Sequence, residues 1–157
     1  MERTLLLLKP DAVQRALVGR IISRVEDKGL KIVALRMLSV SRETASRMYA
    51  EHEGKDFHEP LMEFICSGPV VAMVVEGLEA IATVRRLVGD TNAREAPPGS
   101  VRGDFGMSRR HNLCHGSDSA ESAGREIALF FAPGDIVDYE QTLDGWTYGR
   151  LDDGTRT

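Results

Sequence analysis

The sequence predicts an α/β sandwich of the ferredoxin-like kind, in which a four-stranded antiparallel sheet is covered by helices. Short apolar runs of strand length alternate with segments whose apolar residues recur at helical spacing, in the order β-α-β-(helices)-β-α-β. A chain of 157 residues with 42% hydrophobic composition suits one domain with a full core. We expect this domain to span residues 1–148, and the polar residues 149–157 to form a flexible C-terminal tail.

The first half of the chain supplies three of the strands. Residues 4–8, 31–40 and 69–76 are apolar runs of the kind seen in strands that are buried on both faces. Helices are predicted between them, with a stop at Gly29 and an N-cap at Ser41. These helices are indicated by apolar residues at helical spacing: Val18, Ile21, Ile22 and Val25; Ala45, Met48 and Tyr49; Leu61, Phe64 and Ile65.

The fourth predicted helix and the long segment after it carry arginines in unusual places. Leu78, Ile81 and Val88 form one apolar stripe, and Arg85 is predicted to fall on that same buried stripe. A guanidinium there indicates either an anionic ligand or an arginine that pairs with a core carboxylate or snorkels to solvent. Residues 89–111 have almost no hydrophobic periodicity and predict a long functional loop.

The stretch 112–119 is the centre of the predicted site. It places His115 directly before a glycine and a run of small hydroxyl and acidic residues. Asp118 and Glu121 predict a helix N-cap with its reciprocal acidic partner. Glu126 then falls on the inward face of that helix, where it needs a partner such as His115. His115 is therefore either an oriented nucleophile or a buried structural histidine.

Composition narrows the class of protein. No apolar run reaches membrane-spanning length and no signal peptide is present, so we expect a cytoplasmic protein. The net charge of −4 argues against a specific nucleic-acid-binding role. Cys66 and Cys114 have no zinc or Cys-x-x-Cys spacing and are expected to be free thiols.

Three cations come from distant segments and meet at element ends: Lys9, Arg85 and Arg102. Grouping them is repulsive unless an anion lies between them, and a polyphosphate with Mg²⁺ is the natural anion. Lys9 alone could instead be a snorkelling surface lysine. Because both the P-loop and the dinucleotide glycine motif are absent, side chains must hold the phosphate.

Other histidine chemistries fit less well. His115, Ser117 and Asp118 are too close in sequence to form a hydrolase triad, and no nucleophile-elbow motif is present. His111 and His115 have the spacing of two metal ligands, but the glutamate of a zincin motif is missing.

Several long motifs resemble those of the nucleoside diphosphate kinases, from residue 2 to about residue 148. They are the segments 9–15 (KPDAVQR), 67–73 (SGPVVAM), 99–105 (GSVRGDF) and 112–119 (NLCHGSDS), in the same order as in that family. The resemblance implies a ping-pong transfer of the γ-phosphate of a nucleoside triphosphate to His115 and then to a nucleoside diphosphate. It also implies Mg²⁺ carried mainly by the nucleotide phosphates rather than by protein ligands.

The family motifs assign further roles to residues of this chain. Arg85, Thr91 and Arg102 would hold phosphates, while Lys9 and Asn112 would meet phosphate and the sugar hydroxyls. Phe57 would stack on the base with Leu61 nearby, which explains broad base tolerance. The resemblance also implies broad sugar tolerance. Tyr49, Glu126 and Ser117 would support His115.

Two features of the chain bear on specificity and assembly. Arg109 and Arg110 stand where the family usually has an apolar residue and a glycine, so Arg109 would face the base from the side opposite Phe57 and stack or clash there. The segment 144–148 resembles hexameric rather than tetrameric family members, so a homo-oligomer, with a hexamer favoured, is expected. The rival function is a scaffold or regulatory module that keeps the fold without turnover.

Overall fold

The computed structural model of the chain describes residues 1–149 and 154–157. Four strands form one sheet in the order β2-β3-β1-β4, and every neighbouring pair is antiparallel. This order confirms the predicted ferredoxin-like sandwich. The strands are β1 (Glu2–Leu8), β2 (Lys31–Ser39), β3 (Pro69–Gly77) and β4 (Cys114–Gly116).

Helices cover both faces of the sheet. The helices predicted from apolar spacing are all present, and the described residues form three additional short helices. Two 3₁₀ turns, Ala50–His52 and Pro133–Asp135, complete the described elements. The helices are α1 (Pro10–Gln14), α2 (Val18–Asp27), α3 (Arg42–Met48), α4 (His58–Ile65), α5 (Ala80–Val88), α6 (Val101–Phe105), α7 (Ala120–Phe130) and α8 (Asp144–Thr147).

The central strand β1 divides the core into two halves. Its side chains alternate, so that Leu6 and Leu8 pack toward α2 and α5, whereas Leu5 and Leu7 pack toward α3, α4 and α7. All four leucines are fully buried, which is why this strand is a continuous apolar run. The short strand β4 pairs with β1 and aligns His115 with Leu7, so the histidine is fixed to a strand whose last five residues are buried.

Two local predictions need correction. The segment 89–111 is not all loop, because Ser100 caps the five-residue helix α6 by accepting a hydrogen bond from Gly103 N at 3.1 Å. A helix this short shows no periodicity in the sequence. The N-cap of α7 is Ser119, which accepts from Ser122 N at 3.1 Å, rather than Asp118. Asp118 and Ser119 both carry a side-chain oxygen that can cap a helix, so the N-cap predicted from spacing lies one residue too early.

The C-terminal segment lies against the domain. Tyr148 donates a hydrogen bond to Gly29 O at 2.8 Å, and Arg156 pairs with Asp144 at 2.8 Å. Residues 150–153 of the predicted flexible tail lie outside the described residues, and the tail stays a prediction. Within the described ranges, no helix is long and apolar enough to cross a membrane.

Substitution of Gly103 by Ala is expected to destabilise the protein and to disturb α6. A Cβ at this position would lie 2.1 Å from the carbonyl oxygen of Pro97, so the backbone would have to move. We expect a loss of about 1–3 kcal/mol in the free energy of unfolding, as in other overpacked sites. Urea unfolding of the variant and the wild type measures this loss.

The matched control is Gly124→Ala in the exposed part of α7, where nothing lies within 4 Å of the new Cβ. This change should stabilise the protein by about 0.5–1 kcal/mol, since alanine is the better helix former. Equal stabilities of the two variants would contradict the close approach of Pro97.

Candidate active site

A cleft of about 710 Å³ lies beside β4, between the starts of α1 and α4 on one side and α5 to α7 on the other. The sequence-predicted site residues come together here. Ser117 is the exception, since it lies fully buried behind the cleft wall. The predicted residues that line the cleft are Lys9, Tyr49, Phe57, Leu61, Arg85, Thr91, Arg102, Arg109, Asn112, His115 and Glu126.

The backbone leading into β4 is strained. Leu113 has a φ of +72°, a left-handed conformation that a branched L-residue rarely adopts. Its N–H donates to Asp11 Oδ2 at 3.1 Å, and its carbonyl accepts from Lys9 N at 2.8 Å. The start of α1 and the end of β1 therefore hold this turn in place. Asp11 belongs to one of the sequence motifs, but nothing in the sequence indicated this contact.

His115 has one ring nitrogen committed to a buried carboxylate. Its Nε2 lies 2.8 Å from Glu126 Oε2, and Ser117 Oγ donates to the same oxygen at 2.6 Å. A carboxylate only accepts, so Nε2 carries the proton and Nδ1 carries the lone pair. Among the described residues Nδ1 has no hydrogen-bond partner, and the side chain is 23% exposed to the cleft.

Glu126 is held in its charged form although it is only 2% exposed. Burial opposes the charge, but the hydrogen bonds from His115 and Ser117 outweigh it and hold the pKa of this carboxyl below its usual value. The pair thus keeps a negative charge behind the imidazole. Such a charge fixes the ring and stabilises any positive charge that develops on it.

Tyr49 packs its ring edge against His115, with centroids 5.9 Å apart and an interplanar angle of 90°. Burial raises the pKa of its phenol, and the hydroxyl has no hydrogen-bond partner in the described part of the chain. The next ring along is His52, stacked on Tyr49 at 6.2 Å and packed against Phe57 at 5.3 Å. Sequence reasoning missed His52, because a lone histidine in a polar turn carries no signal.

Arg102 is buried and organises the cleft floor. Its Nε donates to Asn112 O at 3.0 Å, Nη1 to Gly89 O at 2.8 Å and Nη2 to Cys114 O at 2.7 Å. These three bonds join the end of α5, the segment before β4 and β4 itself. Two of the five guanidinium N–H groups are left over.

Lys9 and Asn112 form the second anchor of the floor. Lys9 Nζ donates to Asn112 Oδ1 at 2.8 Å, and Asn112 Nδ2 donates to the carbonyls of Thr91 and Arg109 at 3.0 Å each. Burial, followed by the charge of Arg102, lowers the pKa of Lys9 to about 8. A cation suppressed in this way gains most from a bound anion.

The prediction for Arg85 is wrong about burial. The buried stripe of α5 consists of Ala80, Ile81, Val84 and Val88, and Arg85 lies on the flank of the helix, exposed to the cleft. Its Nη1 lies 3.5 Å from Gly116 O, beside His115. A helix face next to a cleft is solvated, so the arginine needs no buried partner.

The opposite end of the cleft is apolar and more open. Phe57 is 43% exposed and, with Leu61, forms one wall. His111 stacks on Phe64 with centroids 4.5 Å apart and an interplanar angle of 22°, which joins the segment before β4 to α4. Arg109 lines the cleft on this segment.

The described residues contain no group of three or more His, Cys, Asp or Glu side chains that could hold a metal ion. Both cysteines are free, and burial raises the pKa of the Cys114 thiol to about 12, so this thiol is not a nucleophile at neutral pH. His115 is thus the candidate nucleophile of the cleft, and the surrounding cations fit a phosphorylated ligand. Fold and site together define a histidine-centred phosphate-binding protein of the ferredoxin-like class.

Comparison with known proteins identifies the family within this class. The family model for nucleoside diphosphate kinase matches residues 2–136. The chain is 56% identical to the nucleoside diphosphate kinase of Carboxydothermus hydrogenoformans over 148 residues, which cover 94% of this chain and 99% of the relative. It is also 56% identical to the enzyme of Archaeoglobus fulgidus, over 94% of this chain and 98% of that protein.

Solved structures agree. The halophilic nucleoside diphosphate kinase from Halobacterium salinarum, in complex with CDP, superimposes with a TM-score of 0.92 at 48% identity, covering 94% of this chain and 98% of that one. A family protein from Babesia bovis gives a TM-score of 0.91 at 45% identity, covering 94% and 100% of the two chains. The chain belongs to the nucleoside diphosphate kinase family and is an enzyme of that kind.

Substitution of Ser117 by Ala should destabilise the protein in a pH-dependent way. It removes a hydrogen bond to the buried carboxylate of Glu126, which is worth about 1.5–3 kcal/mol at pH 7. Because the pKa of Glu126 is lowered by folding, this stabilisation is present above the unfolded pKa and is lost as the pH falls through the folded value.

Urea unfolding at pH 7 and at pH values below 4.5 measures the difference between variant and wild type. The gap should narrow as the pH falls. Ser23→Ala removes an exposed bond to Gly19 O and serves as the control, with little change at either pH. A gap for Ser117→Ala that is constant with pH would show that its hydroxyl does not act on the charged carboxylate.

Proposed function

We propose that the enzyme transfers the γ-phosphate of a nucleoside triphosphate to Nδ1 of His115 and then to a nucleoside diphosphate in a ping-pong cycle. The observation that carries this proposal is the 2.8 Å contact between Nε2 and Glu126, which leaves the Nδ1 lone pair as the nucleophile. In the first half-reaction the N–P bond forms while the bond from the γ-phosphorus to the bridging oxygen breaks. The nucleoside diphosphate leaves with the bonding electrons on its terminal phosphate.

Glu126 supports the covalent intermediate. Attack by Nδ1 places positive charge on the imidazole ring, and the carboxylate that accepts from Nε2 offsets this charge at 2.8 Å. Tyr49 restricts the ring from its edge side. The second half-reaction reverses these steps, with the terminal phosphate oxygen of an incoming nucleoside diphosphate as the acceptor.

The cations of the cleft would hold the phosphates during transfer. Arg85 lies beside His115, and Arg102 has two N–H groups left after its three carbonyl bonds. Thr91 adds a hydroxyl on the same side of the cleft. Phosphoryl transfer depends mainly on such positioning and charge stabilisation.

Lys9 and Asn112 would contribute in different ways. The lysine would pair its ammonium group with a phosphate, which opposes the lowering of its pKa by burial, and it would reach the sugar hydroxyls from the cleft floor. Asn112 already uses both amide hydrogens, so its remaining capacity is a lone pair on Oδ1 for a sugar hydroxyl. We expect its main effect to be the positioning of Lys9.

We propose Mg²⁺ as the cofactor, carried by the nucleotide phosphates. The cleft floor is cationic, and the buried carboxylate that lines the cleft, Glu126, is occupied by His115 and Ser117. The residues thus fit a metal that enters with its phosphates and keeps water ligands, as Mg²⁺ does in other kinases. When bound, Mg²⁺ would neutralise charge on the transferring phosphates.

The base would stack on Phe57 beside Leu61 at the open end of the cleft, with Arg109 also lining that end. Stacking is available to every base, which supports broad base tolerance. The relative from Halobacterium salinarum was solved with CDP, and this supports a nucleoside diphosphate as a ligand of the same fold.

We also propose a cytoplasmic homo-oligomer, with a hexamer favoured over a tetramer. Two separate apolar patches support assembly. Leu35 and Met37 are 52% and 60% exposed on the sheet-edge strand β2, and Leu143 and Trp146 are 67% and 89% exposed near the C-terminus. Unpartnered apolar side chains on an edge strand are normally covered.

Replacement of His115 by Ala should abolish phosphorylation of the protein. After incubation with γ-labelled ATP and Mg²⁺, wild type should carry an acid-labile, base-stable label that added nucleoside diphosphate discharges. His58→Ala, which changes a histidine outside the cleft lining, should keep the label. Retained labelling or turnover in the His115 variant would disprove the proposed nucleophile.

Substitution of Met37 by Lys should divide the assembly at one interface. A hexamer with both dimeric and trimeric contacts should fall to trimers when only the β2 contact is lost, whereas a tetramer should fall to dimers. Light scattering coupled to size-exclusion chromatography gives the mass. Glu43→Lys on the exposed start of α3 is the control for added charge and should leave the mass unchanged. A wild-type monomer would refute the oligomer.

A further inference from the structure

Two arginines at the open end of the cleft have no side-chain partner among the described residues. Arg109 and Arg110 are exposed, line the cleft, and take part in none of the ion pairs among residues 1–149 and 154–157. Their side chains also donate no hydrogen bond within these ranges. Arg3, Arg24, Arg42 and Arg156, by contrast, each pair with a carboxylate. Two planar donor groups are therefore available to a ligand.

The backbone that carries these arginines is fixed. Ser108 Oγ accepts hydrogen bonds from Arg110 N at 3.1 Å and from His111 N at 3.2 Å, which closes a tight turn. Asn112 Nδ2 donates to Arg109 O at 3.0 Å and ties the turn to the cleft floor. The stack of His111 on Phe64 attaches it to α4. The two side chains thus leave from an anchored segment.

The position of the segment separates these cations from the phosphate end. Arg85 and Arg102 contact β4 near His115, where the proposed chemistry takes place. The segment 109–111 instead packs against α4, the helix that begins directly after Phe57. If the base stacks on Phe57, it lies at the end of the cleft that Arg109 and Arg110 also line, and their guanidinium groups can then meet its edge instead of the face opposite Phe57.

We propose that Arg109 and Arg110 contact the base edge and make this enzyme favour guanine over adenine nucleotides. The inference rests on the proposed function, in that it takes the base to lie on Phe57. Guanine presents two adjacent acceptors, O6 and N7, that match the paired donors of a guanidinium. Adenine presents the N6 amino group, a donor, next to N7. It therefore accepts from only one guanidinium N–H, and its own N6–H points at the other. Stacking on Phe57 then allows every base to bind, while the arginines make guanine nucleotides bind more tightly than adenine nucleotides.

Equilibrium titration of the protein with GDP, IDP and ADP, each with Mg²⁺, tests the proposal without turnover. We expect GDP to bind about five- to tenfold more tightly than ADP, the lower range for a bidentate contact because the arginines are exposed. IDP keeps O6 and N7 and should bind like GDP. The 7-deaza analogue of GDP loses the N7 acceptor and should fall toward ADP.

The Arg109→Lys, Arg110→Lys double variant keeps both charges but loses the planar donor pairs, so the ratio of GDP to ADP affinity should approach one. Arg94→Lys, in the same chain segment but outside the cleft lining, should keep the wild-type ratio. If the double variant binds poorly because the turn is disturbed, the single variants should each lower the ratio.

The proposal would be overturned by equal binding of GDP and ADP to the wild type, by an unchanged ratio in the double variant, or by tight GDP binding that IDP does not share. A proportional loss for all nucleotides would place the arginines on phosphates and would also overturn it. Labelling of His115 by ATP is scored separately. A labelled protein without purine preference refutes only this inference, whereas an unlabelled protein that prefers GDP refutes only the phosphotransfer mechanism.

Discussion

The buried charge of Glu126 is the constraint on which the site depends. A carboxylate that is 2% exposed must be neutralised or hydrogen-bonded, and this one receives Ser117 and His115 on a single oxygen. That requirement fixes the tautomer and the orientation of His115. It also fixes the distance between β4 and α7, since a shift of either element would leave the charge unpaired. The contact between Glu126 and His115 thus both orients the imidazole for chemistry and holds α7 against β4.

The cation cluster on the cleft floor is stabilised by carbonyl groups rather than by carboxylates. Arg102 donates to three backbone carbonyls, and Lys9 donates to an amide oxygen. Neutral acceptors hold the cations in place without cancelling their charge, so the positive potential remains for an anion. The lowered pKa of Lys9 indicates that its hydrogen bond to Asn112 does not fully offset the free-energy cost of burying this charge in the unliganded fold. Binding of a polyphosphate would relieve it, which couples folding of the floor to recognition.

Long apolar runs and motif order were sufficient to predict the sheet and the set of residues that meet in the cleft. Buried strands such as β1 and β3 have an unmistakable pattern, because both faces are covered. Contacts set by three-dimensional approach were not predictable. Asp11 reaching Leu113 N, His52 between Tyr49 and Phe57, and the carbonyl bonds of Arg102 join residues far apart in sequence or in polar turns. Arg85 was predicted to be buried and is exposed, because helical spacing alone does not show whether a residue at the edge of an apolar stripe faces the core or a cleft.

The two ends of the cleft differ in how strongly their residues are constrained. Around His115 the polar groups of Glu126, Arg102 and Lys9 are buried and hydrogen-bonded, so a substitution among them disturbs the fold as well as the chemistry. At the open end Phe57, Arg109 and Arg110 are exposed. Phe57 packs against His52, whereas the two arginine side chains make no hydrogen bond or ion pair with the described residues. The turn around Ser108 keeps its shape because the backbone N–H groups of residues 110 and 111 donate to Ser108 Oγ, and these bonds do not depend on the identity of residues 109 and 110. The base-binding end can therefore change its donors and acceptors while the phosphate-binding end keeps its geometry, which is where we expect specificity to vary among enzymes with this fold.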